Sequence, residues 1–203
     1  MALKAILFDL DGVLADSRRS AAKNIVISLA AFGYKVKMGD VYAHLTGITT
    51  RHIIWALFPK MGEEECKKVR HQVARNDPRV WKMIKRTKIC ALLPKLAKKY
   101  KLAVVTNRRT SGIGVARHLG IAKYFMAVVT ILDGKPKPAK DMVEFALRKL
   151  RVKKSEAIFF GDNDIDMLAG KRAGVRSIRV DEKTAAKEMA RIIEKESGMM
   201  RGD

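Results

Sequence analysis

Short apolar runs recur along the chain, and most of them end at Gly, Asp, Asn or Thr. They are rich in β-branched residues and shorter than typical helices, so they predict buried β-strands. Stretches with helical spacing of apolar residues lie between most of them and predict α-helices. The alternation of strands and helices predicts an α/β fold, a parallel sheet covered on both faces. The strand runs are 4–10, 101–107, 125–131, 156–162 and 175–180, and the helical stretches are 91–100, 111–120, 138–150 and 164–174.

Residues 16–88 interrupt this alternation of strands and helices and contain no convincing strand pattern. Their apolar spacing predicts an α-helical insert entered directly after the first strand, so the core domain comprises 1–15 and 89–203. An insert at this point lies over the carboxyl ends of the parallel strands, where such sheets bind ligands. The predicted helices of the insert are 17–33, 49–58, 62–75 and 78–86.

The composition indicates a folded protein without membrane spans or a disulfide framework. The 203 residues are 48% hydrophobic, which is too apolar for a disordered chain. No apolar run approaches the roughly 18 residues of a transmembrane helix, and early aspartates interrupt the first apolar stretch, so no signal peptide is expected. Cys66 and Cys90 are too few for a disulfide framework and are expected to be buried thiols. We therefore expect a soluble cytoplasmic protein.

The charge is unusual for such a chain. Lys and Arg number 42 and Asp and Glu 21, giving a net charge of +21 that is spread along the sequence rather than held in one tail. Such a protein attracts polyanions, which include nucleic acid, phosphorylated metabolites and acidic membrane surfaces.

Four groups of polar residues carry candidate chemistry, and three of them stand at or just past predicted strand ends. Side chains two residues apart on a strand share a face, so neighbouring carboxylates there converge, and they repel unless a proton or a metal ion separates them. Carboxylates, a hydroxyl and an ammonium together suit a Mg²⁺ ion that holds a phosphoryl group. The groups are Asp9 with Asp11, Thr106 with Asn107, Lys135 in GKPKP, and Asp162 with Asp166 in GDNDID.

The order of these motifs resembles the haloacid dehalogenase superfamily of phosphohydrolases, and most of all its phosphoglycolate-phosphatase-like branch. The resemblance rests on DLDGVLADS, VVTNRR, GKPKP and GDNDIDMLAGKRAG and covers nearly the whole chain. It implies a Rossmann-like parallel sheet core with an inserted α-helical cap domain of the C1 type. It also implies a Mg²⁺-dependent phosphatase that acts on a small phosphorylated metabolite through an aspartyl-phosphate.

The resemblance implies a role for each catalytic residue. Asp9 is expected to be the nucleophile. Asp11 is expected to protonate the leaving oxygen and then to activate water. Thr106 and Asn107 are expected to bind the transferring phosphoryl group, and Lys135 to offset its charge.

The resemblance also implies a metal site. Mg²⁺ is expected to be bound by the carboxylates of Asp9 and Asp162 and by the backbone carbonyl of Asp11. Asp166 is expected in the outer shell or as a partner of Lys135.

Two other functions are open on the same core. A phosphomutase of the β-phosphoglucomutase type would need a cap group that favours sugar over water. A nucleic-acid-binding or nucleic-acid-end-processing protein would explain the basic charge. The chain is expected to be a monomer or homodimer without a membrane partner. Candidate substrate contacts in the insert are Arg18, Arg19, His44, Thr46, Gly47, Arg51 and His52.

Overall fold

The computed structural model describes residues 2–45 and 49–199, so the candidate residues Thr46 and Gly47 lie outside the described part. The strands are β1 (Ala5–Phe8), β2 (Ala15–Asp16), β3 (Lys85–Arg86), β4 (Lys101–Val105), β5 (Ala127–Val129), β6 (Ala157–Gly161) and β7 (Arg176–Arg179). The α-helices are α1 (Arg18–Ala30), α2 (Met38–Ala43), α3 (Thr50–Leu57), α4 (Glu63–Val80), α5 (Leu93–Leu96), α6 (Ser111–His118), α7 (Asp141–Leu150), α8 (Asp164–Ala173) and α9 (Ala186–Met199).

Five strands form one parallel sheet in the order β5-β4-β1-β6-β7. All five predicted strands are confirmed, and so is the α/β fold. β1 is central, with Phe8 level with Val104 of β4 and Phe160 of β6. β1 and β6 are buried along their whole length. Continuous apolar runs of this kind are typical of strands covered on both faces.

The core of the sheet packs against α7 and α8. Leu7, Ala103 and Phe159 of the sheet contribute to one buried cluster with Met142 and Ala169 of these helices. Each large apolar side chain buried in this way contributes about 1.5–3 kcal/mol. The same packing fixes the strand ends relative to one another. The prediction that α8 stops at Gly174 is confirmed, since Gly174 takes the left-handed conformation with φ +69°.

The chain divides into two compact units. One comprises the residues up to Asp16 and from Lys85 onward, and the other is Ser17–Ile84. In the second unit, α1 and α4 are joined by buried polar groups: Asn24 Nδ2 donates to the carbonyl of Val73 at 3.0 Å, and Asn76 Nδ2 donates to Ser28 Oγ at 3.0 Å. Around them lies an apolar cluster that includes Leu29, Ile54 and Val69.

Three local features in and next to residues 16–88 differ from what the sequence predicts. α4 is a single helix through Pro78 where two helices were predicted; Pro78 stands near its end, so its missing N–H removes only one late hydrogen bond. The helix α2 was not predicted. β2 and β3 pair antiparallel over two residues each, which is too short for a periodic pattern. Thr87 holds this ribbon by donating its hydroxyl to the carbonyl of Val13 at 2.6 Å.

The two cysteines agree with expectation. Cys66 and Cys90 are buried free thiols. Among the described residues, no helix combines the length and apolar character needed to cross a membrane.

Candidate active site

The site lies at the carboxyl edge of the sheet, where β1, β4 and β6 end side by side. Asp9 follows β1, Thr106 follows β4 and Asp162 follows β6. Asp166 comes from the first turn of α8. Asp9, Asp162 and Asp166 each place one carboxylate oxygen within 4.8 Å of the others. Asp9 is 5% exposed and Asp166 is fully buried, so these charges are largely removed from water.

A buried lysine, Lys137, lies between two of these carboxylates. Its Nζ donates to Oδ1 of Asp9 at 2.6 Å, to Oδ1 of Asp166 at 2.6 Å and to the carbonyl of Val105 at 3.0 Å. An ammonium has three donors, so all three are used. The lysine makes two charged contacts and is itself 5% exposed.

The sequence prediction placed Lys135 in this position, and here the structure differs. Lys135 is exposed on the loop after β5, whereas Lys137, two residues further on, reaches the carboxylates. Lys137 rather than Lys135 reaches the site because Asn107 makes two hydrogen bonds to the Lys137 backbone. Asn107 Oδ1 accepts from the backbone N–H of Lys137 at 2.8 Å, and its Nδ2 donates to the backbone carbonyl of Lys137 at 3.1 Å. This double contact fixes the Lys137 backbone at the end of β4. Asn107 therefore positions the lysine.

Thr106 is buried beside the cluster. Its backbone N–H donates to the carbonyl of Val129 at 2.9 Å, which continues the pairing of β4 with β5. Its Oγ1 accepts from the backbone N–H of Arg108 at 3.1 Å. The hydroxyl is thus oriented by a short turn at the strand end.

Asp11 stands apart from the three-carboxylate cluster and is held by Arg108. Nε of Arg108 lies 2.8 Å from Oδ2 of Asp11, and Nη2 lies 2.9 Å from Oδ1. A fork of this geometry is the strongest form of arginine–carboxylate contact. The side chain of Arg108 is 13% exposed and that of Asp11 is 35% exposed. Arg108 was not predicted as a site residue. Its position two residues after Thr106, in the motif TNRR, could have indicated that it lies at the site.

Two glycines make room for the carboxylates. Gly12 has φ +81°, and a Cβ there would lie 2.1 Å from Oδ2 of Asp162. A Cβ on Gly161 would lie 2.2 Å from Cβ of Asp166. Neither position tolerates a side chain without moving a site residue. The arrangement of the carboxylates therefore requires glycine at both positions.

The turn between β6 and α8 fixes the last two aspartates. Asn163 caps α8, its Oδ1 accepting from the N–H of Ile165 at 3.0 Å. Its Nδ2 donates to Oδ1 of Asp162 at 2.7 Å. Asp166 Oδ2 accepts from the Asn163 backbone N–H at 3.3 Å, which completes a capping box. One cap thus orients both carboxylates.

Burial has the largest single effect on the pKa values of the site residues. It raises the pKa of Asp9 well above the usual range, against the lowering effect of Lys137. It also raises the pKa of Asp162 to about 6, with the charge of Asp166 adding to the effect. Burial lowers the pKa of Lys137, but the charges of Asp9 and Asp166 outweigh it, so this pKa lies above its usual range. The site therefore favours additional positive charge.

The donor set fits a divalent cation. The ionised Asp9, Asp162 and Asp166 carry three negative charges and Lys137 carries one positive charge, which leaves two negative charges uncompensated. Carboxylate oxygens are the ligands that Mg²⁺ prefers. Both oxygens of Asp166 already accept hydrogen bonds, Oδ1 from Lys137 and Oδ2 from Asn163. Asp9 and Asp162 each accept through Oδ1, which leaves their Oδ2 atoms as the better placed ligands.

Two of the candidates in the insert, Arg51 and His52, have side-chain partners within their own unit. Arg51 donates to Glu63 at 2.9 Å and lies over the ring of Trp55 at 4.3 Å. His52 Nδ1 and Thr49 Oγ1 are hydrogen-bonded at 2.8 Å. These contacts account for the positions of Arg51 and His52 without a substrate.

Comparison with known proteins gives consistent matches over most of the chain. A family described as haloacid dehalogenase-like hydrolase matches residues 6–180. Pyrophosphatase PpaX of Bacillus velezensis is 30% identical over 182 residues, which are 87% of this chain and 82% of that protein. Phosphoglycolate phosphatase of Aquifex aeolicus is 29% identical over 182 residues, covering 86% and 83%. The crystal structure of a predicted phosphoglycolate phosphatase from Haemophilus somnus superposes with a TM-score of 0.79 at 21% identity, covering 91% and 88%.

Proposed function

The chain belongs to the haloacid dehalogenase-like hydrolase family, and we propose that it is a Mg²⁺-dependent phosphatase acting on small phosphomonoesters through an aspartyl-phosphate. The observation that carries the proposal is the buried contact of Asp9 with Lys137, next to Asp162 and Asp166. This contact holds a carboxylate at a strand end beside groups that suit a phosphoryl group and a divalent cation. Binding alone requires no such arrangement.

In the first step Asp9 is the nucleophile. Lys137 occupies Oδ1 of Asp9, so Oδ2 attacks phosphorus, and the bond to the leaving oxygen breaks as the new P–O bond forms. Asp11 supplies the proton that the leaving oxygen takes up. The products are the released alcohol and a phosphorylated Asp9.

In the second step Asp11 acts as the base. It accepts a proton from water as the water oxygen attacks phosphorus, and the bond between Asp9 and phosphorus breaks. Inorganic phosphate leaves and both aspartates return to their starting states. Arg108 occupies both oxygens of Asp11, so Asp11 has to leave this guanidinium to act in either step.

The remaining residues stabilise charge on the transferring group. Thr106 donates its hydroxyl to a phosphoryl oxygen, and Lys137 takes the role that the sequence assigned to Lys135. Asp166 positions Lys137 rather than the substrate. Mg²⁺, when bound, offsets the negative charge of the phosphoryl oxygens. Its ligands in this proposal are the carboxylates of Asp9 and Asp162 and, as the family resemblance implies, the backbone carbonyl of Asp11.

The substrate class in this proposal is a small phosphorylated metabolite. Phosphoglycolate, sugar phosphates and nucleotides are the first compounds to test. Pyrophosphate joins them because one relative is named a pyrophosphatase. No feature of the described residues favours the phosphomutase alternative.

The test is phosphate release from a panel of these compounds, measured with Mg²⁺, with chelator, and with the variant Asp9→Asn. The proposal predicts release that needs Mg²⁺ and collapses in Asp9→Asn. Circular dichroism checks that the variant is folded. Release that persists in a folded Asp9→Asn protein would overturn the proposal.

A further inference from the structure

A second charged region lies at the opposite, amino edge of the sheet. Two adjacent cavities of about 800 Å³ and 410 Å³ open there and share Lys4, the residue before β1. Their other basic residues stand just before β4 and β6 and around the end of α7. We call these eight residues the amino-edge face: Lys4, Lys98, Lys99, Lys101, Arg148, Arg151, Lys153 and Lys154.

The positive charge of this face is poorly compensated. Of the acidic residues that the structure describes, Glu144 and Glu156 alone line the same cavities. Glu156 is paired with Lys4 at 2.7 Å, and its pKa is lowered by that hydrogen bond. Glu144 is paired at 2.9 Å with Lys140, a residue outside the face. Each carboxylate thus already has a paired cation, and with Glu156 also acting on Lys153 the two acids offset only part of the positive charge of the face.

Within the described part of the chain, five members of the face have no acidic partner. Among the residues that the structure describes, no carboxylate lies within ion-pair distance of Lys98, Lys99, Arg151, Lys153 or Lys154. All five are exposed. Unpaired exposed cations on one face create a positive potential that attracts polyanions.

The face also carries apolar and aromatic groups. Tyr100, Tyr124 and Met126 line the smaller cavity. Met126 is 64% exposed, more than any other large apolar side chain among the described residues. Nζ of Lys123 lies 5.3 Å from the ring centre of Tyr124. Basic residues combined with aromatic rings are typical of surfaces that bind nucleic-acid backbone and stack on bases.

The extent of the face favours a polymer over a small anion. Its basic residues lie beside β6, β1 and β4, and the smaller cavity continues past β5 through Tyr124 and Met126; these four strands are neighbours in the sheet. Neighbouring strands lie about 4.8 Å apart, so four strands span roughly 14 Å. Phosphates of one duplex strand are spaced about 3.4 Å along the axis, so the face matches about four of them.

We propose that the amino-edge face binds nucleic acid through its phosphate backbone. The proposal is independent of the phosphatase function, because the face lies at the edge of the sheet opposite to Asp9 and shares no residue with that site. It assigns part of the charge of +21 to a specific surface. Contacts with the backbone carry no sequence information, so the binding is expected to be non-specific.

The test is fluorescence anisotropy with labelled 20-nucleotide single-stranded and duplex DNA and RNA, at 50 and 200 mM salt. About four phosphate contacts predict a loss in affinity of roughly a hundredfold between these salt concentrations. The variant carries Lys98→Gln, Lys99→Gln, Lys153→Gln and Lys154→Gln and is expected to bind at least about tenfold more weakly at 50 mM salt. Its phosphate release is expected to be unchanged, and circular dichroism checks its fold.

A matched control removes the same charge from an exposed surface of the other unit. It carries Lys68→Gln, Arg70→Gln, Arg75→Gln and Arg79→Gln on α4. The proposal predicts that the control binds nucleic acid like the unmodified protein. Equal loss in both variants would show attraction by net charge alone and overturn the proposal. Absence of binding at 50 mM salt would overturn it too, as would binding to vesicles of acidic lipid but not to nucleic acid.

Discussion

The guanidinium of Arg108 donates hydrogen bonds to both carboxylate oxygens of Asp11, with its Nε 2.8 Å from Oδ2 and its Nη2 2.9 Å from Oδ1. The same residue donates its backbone N–H to Thr106 Oγ1. Arg108 therefore connects the proposed acid and base with the proposed phosphoryl-binding hydroxyl. In the proposed cycle it holds Asp11 in place between turnovers and adds positive charge beside Thr106.

The first prediction concerns this contact. We expect Arg108→Gln to lower kcat/KM by about 100-fold, because it removes the positive charge that Arg108 places beside Thr106, where negative charge develops on the transferring phosphoryl group. Arg108→Lys should recover part of the loss, since an ammonium keeps the charge but not the fork. Steady-state kinetics of phosphate release measure both. Arg109→Gln is the control, because Arg109 is the exposed neighbour, and an equal loss in that variant would contradict the assignment.

The second prediction separates the two lysines of GKPKP. Lys137→Met leaves Asp9 and Asp166 buried without their cation, which typically costs about 3–5 kcal/mol of stability. We expect phosphate release to fall about 100- to 1000-fold, since one fixed electrostatic contact to the reacting group is worth about that much. Lys135→Met should change neither quantity, because Lys135 is exposed. Urea unfolding and steady-state kinetics give the two readouts. Loss of activity in Lys135→Met with an active Lys137→Met would restore the assignment made from the sequence.

The third prediction uses two glycines with almost the same φ angle. Gly12 and Gly33 have φ +81° and +82°, but only at Gly12 would an added Cβ meet a neighbour, Oδ2 of Asp162 at 2.1 Å. Both alanine variants should lose about 1 kcal/mol through backbone strain. Gly12→Ala should in addition displace Asp162 and weaken Mg²⁺ binding by about tenfold or more. Calorimetric titration with Mg²⁺ measures this, and equal affinity in the two variants would contradict the role given to Asp162.

The fourth prediction is a pH dependence of metal binding. In the metal-free protein the pKa of Asp162 is raised from 3.8 to about 6. Protonated Asp162 therefore stabilises the fold most fully below about pH 4, and this contribution is lost as the pH rises through 6. A divalent cation needs the ionised form, so its affinity should fall about tenfold per pH unit below 6. The raised pKa of Asp9 acts in the same direction.

Calorimetric titration with Mg²⁺ at pH 5, 6 and 7 measures this dependence. Asp162→Asn should bind Mg²⁺ more weakly at pH 7 and lose the change in affinity near pH 6. An affinity of the unmodified protein that is the same at pH 5 and pH 7 would show that Asp162 does not bind the cation.

Much of the fold follows from the sequence because its signals are local. The five strands of the sheet are continuous apolar runs, and the aspartates of the site follow two of them directly. Asp9 and Asp162 meet because β1 and β6 are neighbours in the sheet. The short ribbon of β2 and β3 could not be predicted, since two residues per strand carry no periodicity.

The site lysine could not be predicted for a different reason. Lys135 and Lys137 are each followed by proline, so their local patterns are alike. The choice depends on Asn107, which binds the Lys137 backbone from 30 residues away. Arg108 likewise gained its role from Asp11, which lies 97 residues earlier. Contacts between distant parts of the chain decide such details.

Phosphorylation of Asp9 during turnover is the step on which the proposed function rests. The direct measurement is a rapid acid quench of the Mg²⁺-loaded protein with a radiolabelled phosphomonoester that it hydrolyses, followed by peptide mapping. We predict label on the peptide that contains Asp9 within a single turnover, and no label in folded Asp9→Asn. Turnover without label on that peptide, or label retained in Asp9→Asn, would contradict the account.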